Sequence, residues 1–516
     1  MDFEYGDTVV VGCDPCGRPW WATLRWATAR VAPTVLFFLF CFAKTQAQAP
    51  CSEVIGYYPS WIFYDRQQLV NPATIDYSKY TILNYAFFEP QPDGSVVPFD
   101  PRTDKRLLLG EIAPTAPPGY TNRKDLGNAE WHVPGTSLVE KAHDHGVKVF
   151  ISIGGWTLSQ YFSPIAASPE RRRNFAHSCA DMVRTYGIDG IDIDWEYPGY
   201  QAQGGSLNDG HYFTMLLQEI RDSLTPLQWT TDRQLYLTAA FGCAPTRIDV
   251  IEWDKVAPLL DFVNMMTYDF YGRDFSVTNH NAPLYPPAKG ITGYDTHSTV
   301  HYLTEKHGVP SFKICLGVPF YGRAMKTKSS PGLHVGSALA VDNRTFAEDD
   351  GSPSFYNILA KQSLFFYDWD SLAQAPFLRS KSSNTFVTFD DERSVAQKAR
   401  YILDHDLAGA IVWDITGDCV ESQTQRGVIE RTPLADALKD ALCHSDFDFV
   451  ETGRPTSIER LPTLPQKGKL IRLRYPVLRV FTTQKLTKKE QRKLRKQQKK
   501  KQKQPKIPGR YFDGGH

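Results

Sequence analysis

Eight short apolar runs, each typical of a buried β-strand, recur along the chain after its first fifty residues. Strands of this kind alternate with longer stretches of helical period, and that alternation favours a parallel sheet. Eight such units favour closure of the sheet into a barrel. The runs are Val54–Tyr58, Thr81–Phe87, Val147–Ile153, Gly190–Trp195, Leu235–Ala240, Phe262–Thr267, Lys313–Val318 and Gly409–Trp413.

Stretches with the apolar period of an α-helix lie between several of these runs. Together the two patterns predict an α/β fold, a (β/α)8 TIM barrel, whose active site lies at the C-terminal ends of the strands. The fourth run ends beside Glu196, so this residue is expected at the catalytic end. The helical stretches are Gly135–His145, Pro169–Tyr186, His211–Leu224, Thr299–His307 and Glu392–His405.

Two connections are longer than a helical crossover requires. Between the seventh and eighth runs, a helical piece, Tyr356–Gln362, accompanies the alternating segments Leu364–Tyr367 and Thr385–Thr388. We therefore predict a small α+β subdomain inserted at about residues 325–386. The connection Glu89–Gly135, rich in Pro and Gly, is predicted to form a second wall of a groove.

The two ends of the chain differ in composition from the body between them. Residues 484–506 carry twelve basic residues and one acid, so subtracting their +11 from the net charge of +1 leaves −10 for the remainder. An acidic body does not favour a nucleic-acid binder. Few apolar residues and a high charge predict a disordered, Lys-rich tail over residues 446–516, although binding of this tail to an anionic partner stays open.

Residues 1–49 resemble a targeting leader, which would leave residues 50–445 as the folded body. The apolar run Val35–Ala43 follows two arginines and precedes Ala47-Gln48-Ala49, a small-residue cleavage site. The run is shorter than the ~20 residues of a transmembrane helix. We therefore expect a secreted protein without stable membrane association, unless the leader stays uncleaved. Cleavage after Ala47 is an alternative, because Pro50 is unfavourable directly after a cut.

Six cysteines remain beyond this leader: Cys51, Cys179, Cys243, Cys315, Cys419 and Cys443. An even number permits disulfides, but their pairing cannot be read from the sequence. Cys179 and Cys315 lie in apolar patterns typical of buried thiols. None of the six shows the paired spacing of a metal site.

The fourth run contains three acids at alternate positions: Asp192, Asp194 and Glu196. Alternate strand side chains share one face, whereas the bulky apolar residues between the acids face the other way. Carboxylates held together in a buried place shift their pKa values apart, which creates a neutral acid beside an ionised one. A solvated acidic strand is an alternative, but it does not explain the apolar opposite face. A Ca²⁺ loop would require Gly and Asn spacing instead.

The stretch Asp189–Pro198 resembles the D-x-x-D-x-D-x-E signature on the fourth barrel strand of the family 18 glycoside hydrolases, the chitinases and their relatives. Two further motifs of this family match at the right places, S-x-G-G at the end of the third run and M-x-Y-D at the end of the sixth. The resemblance covers roughly residues 54–442. The matching residues are Ser152, Gly154 and Gly155 in the first motif, Met266, Tyr268 and Asp269 in the second, and Tyr57, Phe87, Trp156, Tyr321, Arg323 and Trp413 in the groove.

The resemblance implies a secreted chitinase that hydrolyses β-1,4-linked N-acetylglucosamine polymers with retention. Glu196 would protonate the glycosidic oxygen while the sugar's own N-acetyl carbonyl attacks the anomeric carbon. Asp194 would stabilise the resulting cation, and Asp192 would hold Asp194 and share its proton. Tyr268 and Asp269 would orient the acetamido group.

The other matching residues have supporting roles in this scheme. Trp413 would lie under the central sugar, and Ser152 would hydrogen-bond Asp192. Asp189 has the wrong parity for the acidic face and is expected to be structural. No metal or cofactor is expected, and the partners are chitin and chito-oligosaccharides bound by a monomer.

Two alternatives stay open within the family. A chitinase-like lectin would bind without cutting, but such proteins typically lack the acid at Glu196. An endo-β-N-acetylglucosaminidase acting on N-glycans would share the acidic motif but usually lacks the inserted subdomain.

Overall fold

The structure is a computed structural model that describes residues 52–112, 132–347 and 351–443, and the backbone of the short antiparallel pair Val10–Cys13 and Pro19–Trp21. That pair belongs to a separate unit, Met1–Cys51. The rest of the predicted leader and the tail over residues 446–516 lie outside the described residues.

Eight parallel strands close into a barrel, as the sequence predicts. Neighbours in the sheet follow chain order, and the barrel closes where Glu53 in the first strand pairs with Gly409 in the eighth. The strands, numbered here as barrel strands, are β1 Glu53–Pro59, β2 Ile82–Pro90, β3 Lys148–Gly154, β4 Gly190–Asp194, β5 Tyr236–Gly242, β6 Phe262–Met266, β7 Ile314–Pro319 and β8 Gly409–Trp413.

Helices surround the barrel, and α4 coincides with its predicted bounds. They are α1 Pro101–Leu109, α2 Leu138–Asp144, α3 Phe162–Ala167, α4 Pro169–Tyr186, α5 Asp209–Thr231, α6 Pro245–Ile248, α7 Trp253–Leu259, α8 Thr296–His301, α9 Phe355–Lys361, α10 Glu392–Asp404 and α11 Pro433–Cys443. Shorter 3₁₀ segments are Ser60–Gln67, Tyr77–Lys79, Ser159–Tyr161, Gln201–Gln203, Ser311–Lys313 and Gln362–Leu364, and Tyr302–Lys306 is a π-helix.

Helix α5 extends beyond the predicted stretch His211–Leu224 at both ends. It continues through Pro226, a residue that normally ends a helix because it lacks the N–H group. Leu227, directly after the proline, is 5% exposed in the core. Burial of this side chain accompanies the extra helical turns.

The predicted inserted subdomain is present between β7 and β8. Its five-stranded antiparallel sheet has the spatial order Ser337–Val341, Arg323–Thr327, Thr385–Thr388, Ala375–Ser380 and Phe365–Asp370, and α9 belongs to the same segment. The first of these strands in chain order, Arg323–Thr327, begins shortly after the end of β7. The subdomain therefore projects from the catalytic end of the barrel.

The long connection after β2 contains more regular structure than its Pro and Gly content indicates. Val96–Pro98 pairs antiparallel with the end of β2. Helix α1 follows, with the Asp100 side chain accepting hydrogen bonds from the N–H groups of Arg102 and Thr103 and with Pro101 in its first turn.

A short hairpin of Val420–Glu421 and Ile429–Arg431 follows β8.

The apolar core has two layers, one on each side of the barrel strands. The outer layer lies between strands and helices, and the inner layer contains Ile55, Ile82, Phe150, Cys315 and Ile411. The predicted buried thiols, Cys179 and Cys315, are both buried, as are Cys243 and Cys419. Above the inner layer, toward the C-terminal ends of the strands, the barrel interior becomes polar.

None of the helices in the described ranges is long and apolar enough to cross a membrane.

Candidate active site

Strand β4 places the three alternate acids on the inner side of the barrel. Asp192 and Asp194 are buried, and Glu196 follows the end of the strand, half-buried. The residues between them face outward, as their parity predicts. Trp195 packs there, with its ring 5.3 Å from that of Phe162. One face of this strand therefore places acids inside the barrel, and the other packs against the surrounding helices.

Four donors surround the carboxyl group of Asp192. Tyr57 Oη and Ser152 Oγ each donate to Asp192 Oδ2 at 2.8 Å. Thr238 Oγ1 and Asn264 Nδ2 donate to Oδ1 at 2.5 and 3.1 Å. Burial raises the pKa of Asp192, and these side-chain hydrogen bonds oppose that effect. All four partners donate and stabilise the ionised form, but burial is the larger effect, so the pKa of Asp192 stays above its usual value.

Asp194 has the opposite environment. Its Oδ1 atom is buried and has no hydrogen-bond partner among the described residues. Burial, followed by the charges of Glu196 and Asp192, raises the pKa of Asp194 well above its usual value. Asp192 and Asp194 therefore lie close together in different surroundings, and the separation of their pKa values stays a prediction.

The sequence also predicts that Asp192 holds Asp194 and shares its proton, and this stays a prediction. The oxygens of Asp192 accept hydrogen bonds from Tyr57, Ser152, Thr238 and Asn264. The charge of Asp192 is one of the causes that raise the pKa of Asp194.

The carboxyl group of Glu196 opens into the cleft. Burial is the main cause that raises its pKa to about 7, and the charge of Asp269 adds to the shift. Hydrogen bonds from the Tyr197 side chain and the Trp156 backbone act in the other direction. The backbone N–H of Glu196 donates to Ser159 Oγ at 2.9 Å and fixes this turn. A carboxyl group with a pKa of about 7 is protonated in about half of the molecules at neutral pH and can donate a proton.

The M-x-Y-D motif places its tyrosine and aspartate beside the acids. Asp269 Oδ1 accepts from Tyr321 Oη at 2.8 Å and from the Arg323 guanidinium at 2.5 and 2.9 Å. Burial raises the pKa of Tyr268 well above its usual value, and the neighbouring Tyr321 adds to it. The Tyr268 hydroxyl therefore keeps its proton and is a hydrogen-bond donor.

Aromatic rings line the cleft beside β8. The Trp413 ring lies 5.7 Å from that of Phe87 and 5.5 Å from that of Tyr57. Trp61, which is 40% exposed, stacks on Phe87 at 5.9 Å and meets the edge of Phe99 at 6.4 Å. Rings in such an array present flat apolar faces of the kind that suits a sugar ring.

The cleft has a volume of about 790 Å³, and all the predicted groove residues line it. These are Tyr57, Phe87, Trp156, Met266, Asp269, Tyr321, Arg323 and Trp413, and they join Asp194, Glu196 and Tyr268 there. Tyr57 is only 2% exposed, so its main contact is Asp192 beneath the cleft rather than the open groove. Asp192 itself lies behind the cleft wall.

Two glycines at the end of β3 make room for this arrangement. Gly154 has a φ of 112°, and a Cβ atom there would lie 2.2 Å from the backbone oxygen of Asp194. Gly155 has a φ of 84°, and its Cβ would lie 2.5 Å from the Phe87 ring. Only glycine fits both the left-handed backbone and the close approach of neighbouring strands.

Asp189 lies at the opposite end of β4, away from the cleft. Its carboxylate accepts from the Val149 backbone at 2.9 Å, from His143 at 2.7 Å and from Arg233 at 2.6 Å. These partners join β3 and the start of β5 to β4. The contacts are those of a structural residue.

Sequence reasoning did not identify several residues of the site. Thr238 and Asn264 lie on β5 and β6 and contact Asp192, but a single polar residue in an apolar strand has no distinctive pattern. Trp61, Phe99 and Arg247 line the cleft from connections after β1, β2 and β5. Their position beyond strand ends is the only signal that would have found them.

Among residues 52–112, 132–347 and 351–443, no group of three or more His, Cys, Asp or Glu side chains is arranged to hold a metal ion.

The sequence matches known proteins over the whole barrel. The sequence model of the protein family described as "Glycosyl hydrolases family 18" matches residues 53–418. Chitinase A1 of Niallia circulans is 32% identical over 411 residues, which are 73% of this chain and 58% of that protein. The chain thus spans a little over half the length of that relative.

Solved structures share the fold. Chitinase ChiA74 from Bacillus thuringiensis superposes with a TM-score of 0.61 at 30% identity, over 76% of this chain and 70% of that one. The Group IV chitinase of Ostrinia furnacalis gives a TM-score of 0.63 at 26% identity, over 76% of this chain and 100% of that one.

Proposed function

Because the chain belongs to the glycosyl hydrolases of family 18, we propose that it is a chitinase, which hydrolyses β-1,4-linked N-acetylglucosamine polymers with retention of configuration. The observation that carries the proposal is the pair at the end of β4. Glu196 has a pKa of about 7 and opens into the cleft, beside the buried Asp194. Relatives with chitinase names, at 30–32% identity, support the choice of substrate.

In the first step, Glu196 donates its proton to the glycosidic oxygen as the bond to the leaving sugar breaks. The carbonyl oxygen of the substrate's own N-acetyl group attacks the anomeric carbon from the opposite face. The product on the enzyme is a cyclic oxazolinium ion. The Tyr268 hydroxyl, which keeps its proton, donates to the acetamido group and holds it in position.

The positive charge of the ring that forms is balanced by the acids below it. Four donors to Asp192 favour its ionised form against the effect of burial, and the charge of Asp192 acts on the neighbouring Asp194. A fixed negative charge close to a developing cation stabilises the transition state in a site that excludes water. Glu196, now ionised, then removes a proton from water, which opens the ring from the original side.

Asp269 orients the acetamido group together with Tyr268 in this scheme. Its carboxylate is bound by Arg323 and Tyr321, and its charge raises the pKa of Glu196. Asp269 therefore also helps to keep the acid protonated.

Secretion and a monomeric state are part of the same proposal. The leader-like composition of residues 1–49 supports secretion.

The test is hydrolysis of acetylated chito-oligosaccharides by the purified chain, with the product anomers followed by NMR. We expect the new reducing end to appear first as the β-anomer, because two displacements at one carbon retain its configuration. The matched control is a β-1,4-glucan oligomer, which has the same linkage without the acetamido group and should resist cleavage. Initial release of the α-anomer, or cleavage of the glucan at a similar rate, would contradict the proposed mechanism.

A further inference from the structure

The two oxygens of the Asp192 carboxyl group are held by different parts of the barrel. Oδ2 accepts from Tyr57 and Ser152, which belong to the sequence patterns that match the family. Oδ1 accepts from Thr238 Oγ1 at 2.5 Å and from Asn264 Nδ2 at 3.1 Å. Thr238 makes the shortest of these four contacts, yet it lies outside the motifs that identify the site.

Strand register places Thr238 directly beside Asp192. The two residues are paired in the neighbouring parallel strands β4 and β5, and both are fully buried. A threonine hydroxyl has one hydrogen to donate, and Asp192 Oδ1 accepts it. The branched side chain restricts rotation about the Cα–Cβ bond, so the backbone of β5 fixes the direction of this donor. The contact is therefore built into the wall of the barrel.

The Thr238 hydroxyl favours the charged form of Asp192. Burial raises the pKa of Asp192, and the bond from Thr238 has the largest effect among the side-chain hydrogen bonds that lower it. Asp194 Oδ1 is buried without a hydrogen-bond partner among the described residues, and burial raises the pKa of Asp194 together with the charges of Glu196 and Asp192. A proton that enters this pair is therefore disfavoured on Asp192 as long as Thr238 donates to it.

Other titratable groups face these two aspartates from several elements. Glu196, which follows β4, has a pKa of about 7 and is largely protonated below that pH. Asp269, which follows β6, forms an ion pair with a guanidinium. Thr238 donates its one hydrogen to Asp192, so its effect on protonation acts on the aspartate pair. Burial raises the pKa of the remaining groups well above their usual values and keeps them protonated; these are Tyr57, Tyr197, Tyr268, Cys315 and Tyr321.

Given the proposed function, on which this inference rests, we propose that Thr238 is a positioning residue, which holds Asp192 charged and prevents both aspartates from being protonated during cleavage. The oxazolinium ion carries a positive charge, and a fixed negative charge beside it stabilises the transition state. That charge is lost when Asp192 and Asp194 hold two protons between them. Thr238 therefore extends the activity of the site toward lower pH.

Replacing the hydroxyl by a methyl group tests this role in the full chain. Thr238→Val keeps the shape of the side chain and removes the donor, whereas Thr238→Ser keeps the donor. On acetylated chito-oligosaccharides, the acid limb of kcat/KM against pH should shift upward by about one unit in Thr238→Val, the size expected for one hydrogen bond to a charged group. The acid limb of Thr238→Ser should stay close to that of the wild type. The alkaline limb, which Glu196 sets, should not move in either variant.

A second buried threonine provides the matched control. In the inserted subdomain, Thr385 Oγ1 donates to Asp342 Oδ2 at 2.6 Å, and both residues are fully buried. Thr385→Val should lose stability in denaturant unfolding, but its acid limb should coincide with that of the wild type. A folded Thr238→Val protein whose rate falls equally at every pH would overturn the inference, because a merely structural contact has that effect. Thr238→Ala, which also lacks the hydroxyl, replaces the valine variant if that variant does not fold.

Infrared spectroscopy reads the protonation of Asp192 without any substrate. The C=O stretch of a protonated carboxyl group that is missing from Asp192→Asn belongs to Asp192. On acidification, this band should appear about one pH unit earlier, at higher pH, in Thr238→Val than in the wild type. An unchanged onset would overturn the inference. Failure of the wild type to hydrolyse acetylated oligomers would instead count against the proposed function, so the two results are distinguishable.

Discussion

At the scale of single residues, Glu196 and Asp194 show how environment separates two carboxyl groups that lie two positions apart. Burial raises the pKa of both groups. Glu196 opens into the cleft, whereas Asp194 lies between Glu196 and Asp192. Glu196 is therefore suited to donate a proton, and Asp194 is suited to stabilise a developing positive charge.

The variant Glu196→Gln should lose turnover while it keeps its affinity for chito-oligosaccharides. The amide preserves the shape of the side chain and removes only the transferable proton, a contribution worth about 10²–10⁴-fold. Steady-state kinetics and calorimetric titration measure the two quantities. Glu170→Gln, an exposed change in the first turn of α4, is the matched control. Turnover of the Glu196 variant close to that of the control would remove Glu196 from its role.

The pH profile provides a second measurement on the same residue. Glu196 acts as an acid, so the active form is the protonated one, and its pKa is raised to about 7. The value of kcat/KM should therefore fall as pH rises through about 7, rather than near the ordinary value for glutamate of about 4.3. A plateau that extends well above this pH would show that another group supplies the proton.

At the scale of elements, the barrel strands could be predicted because each is a continuous apolar run, buried on both sides. The acids on β4 could be predicted because they interrupt such a run at alternate positions. Thr238 and Asn264 could not, since nothing in a single apolar strand indicates that a polar side chain faces Asp192 from the next strand or the one after it. Helix α1 was missed because its neighbourhood is rich in Pro and Gly, and one of those prolines is its first residue.

The turn after β3 is the element most sensitive to a small change. Gly154→Ala should lower the free energy of unfolding by about 2–5 kcal/mol, from the left-handed backbone and from contact with the Asp194 carbonyl. Gly135→Ala is the matched control, since that glycine also has a positive φ but no atom within 4 Å of the added Cβ. It should cost only about 1–2 kcal/mol. Equal losses in denaturant unfolding would mean that the close approach to β4 has no energetic effect.

At the scale of the whole molecule, every residue assigned to the site lies between Tyr57 and Trp413. A protein consisting of residues 50–445 should therefore hydrolyse soluble oligomers with a kcat/KM within about threefold of the full chain, which is under ~0.7 kcal/mol in activation free energy. Parallel kinetics on the two proteins measure this. A loss of tenfold or more would assign a part of catalysis to the leader or to the Lys-rich tail.

The four donors around Asp192 have a consequence for how the protein comes to be active. Tyr57, Ser152, Thr238 and Asn264 come from β1, β3, β5 and β6, so neither half of the chain holds the complete set. During synthesis, β4 is made before the last two donors exist, and its carboxylates acquire their final protonation only when β6 docks. Catalytic competence thus reports barrel assembly itself. Two separately produced halves, divided after β4, would be inert alone and would become active together only by rebuilding the closed sheet.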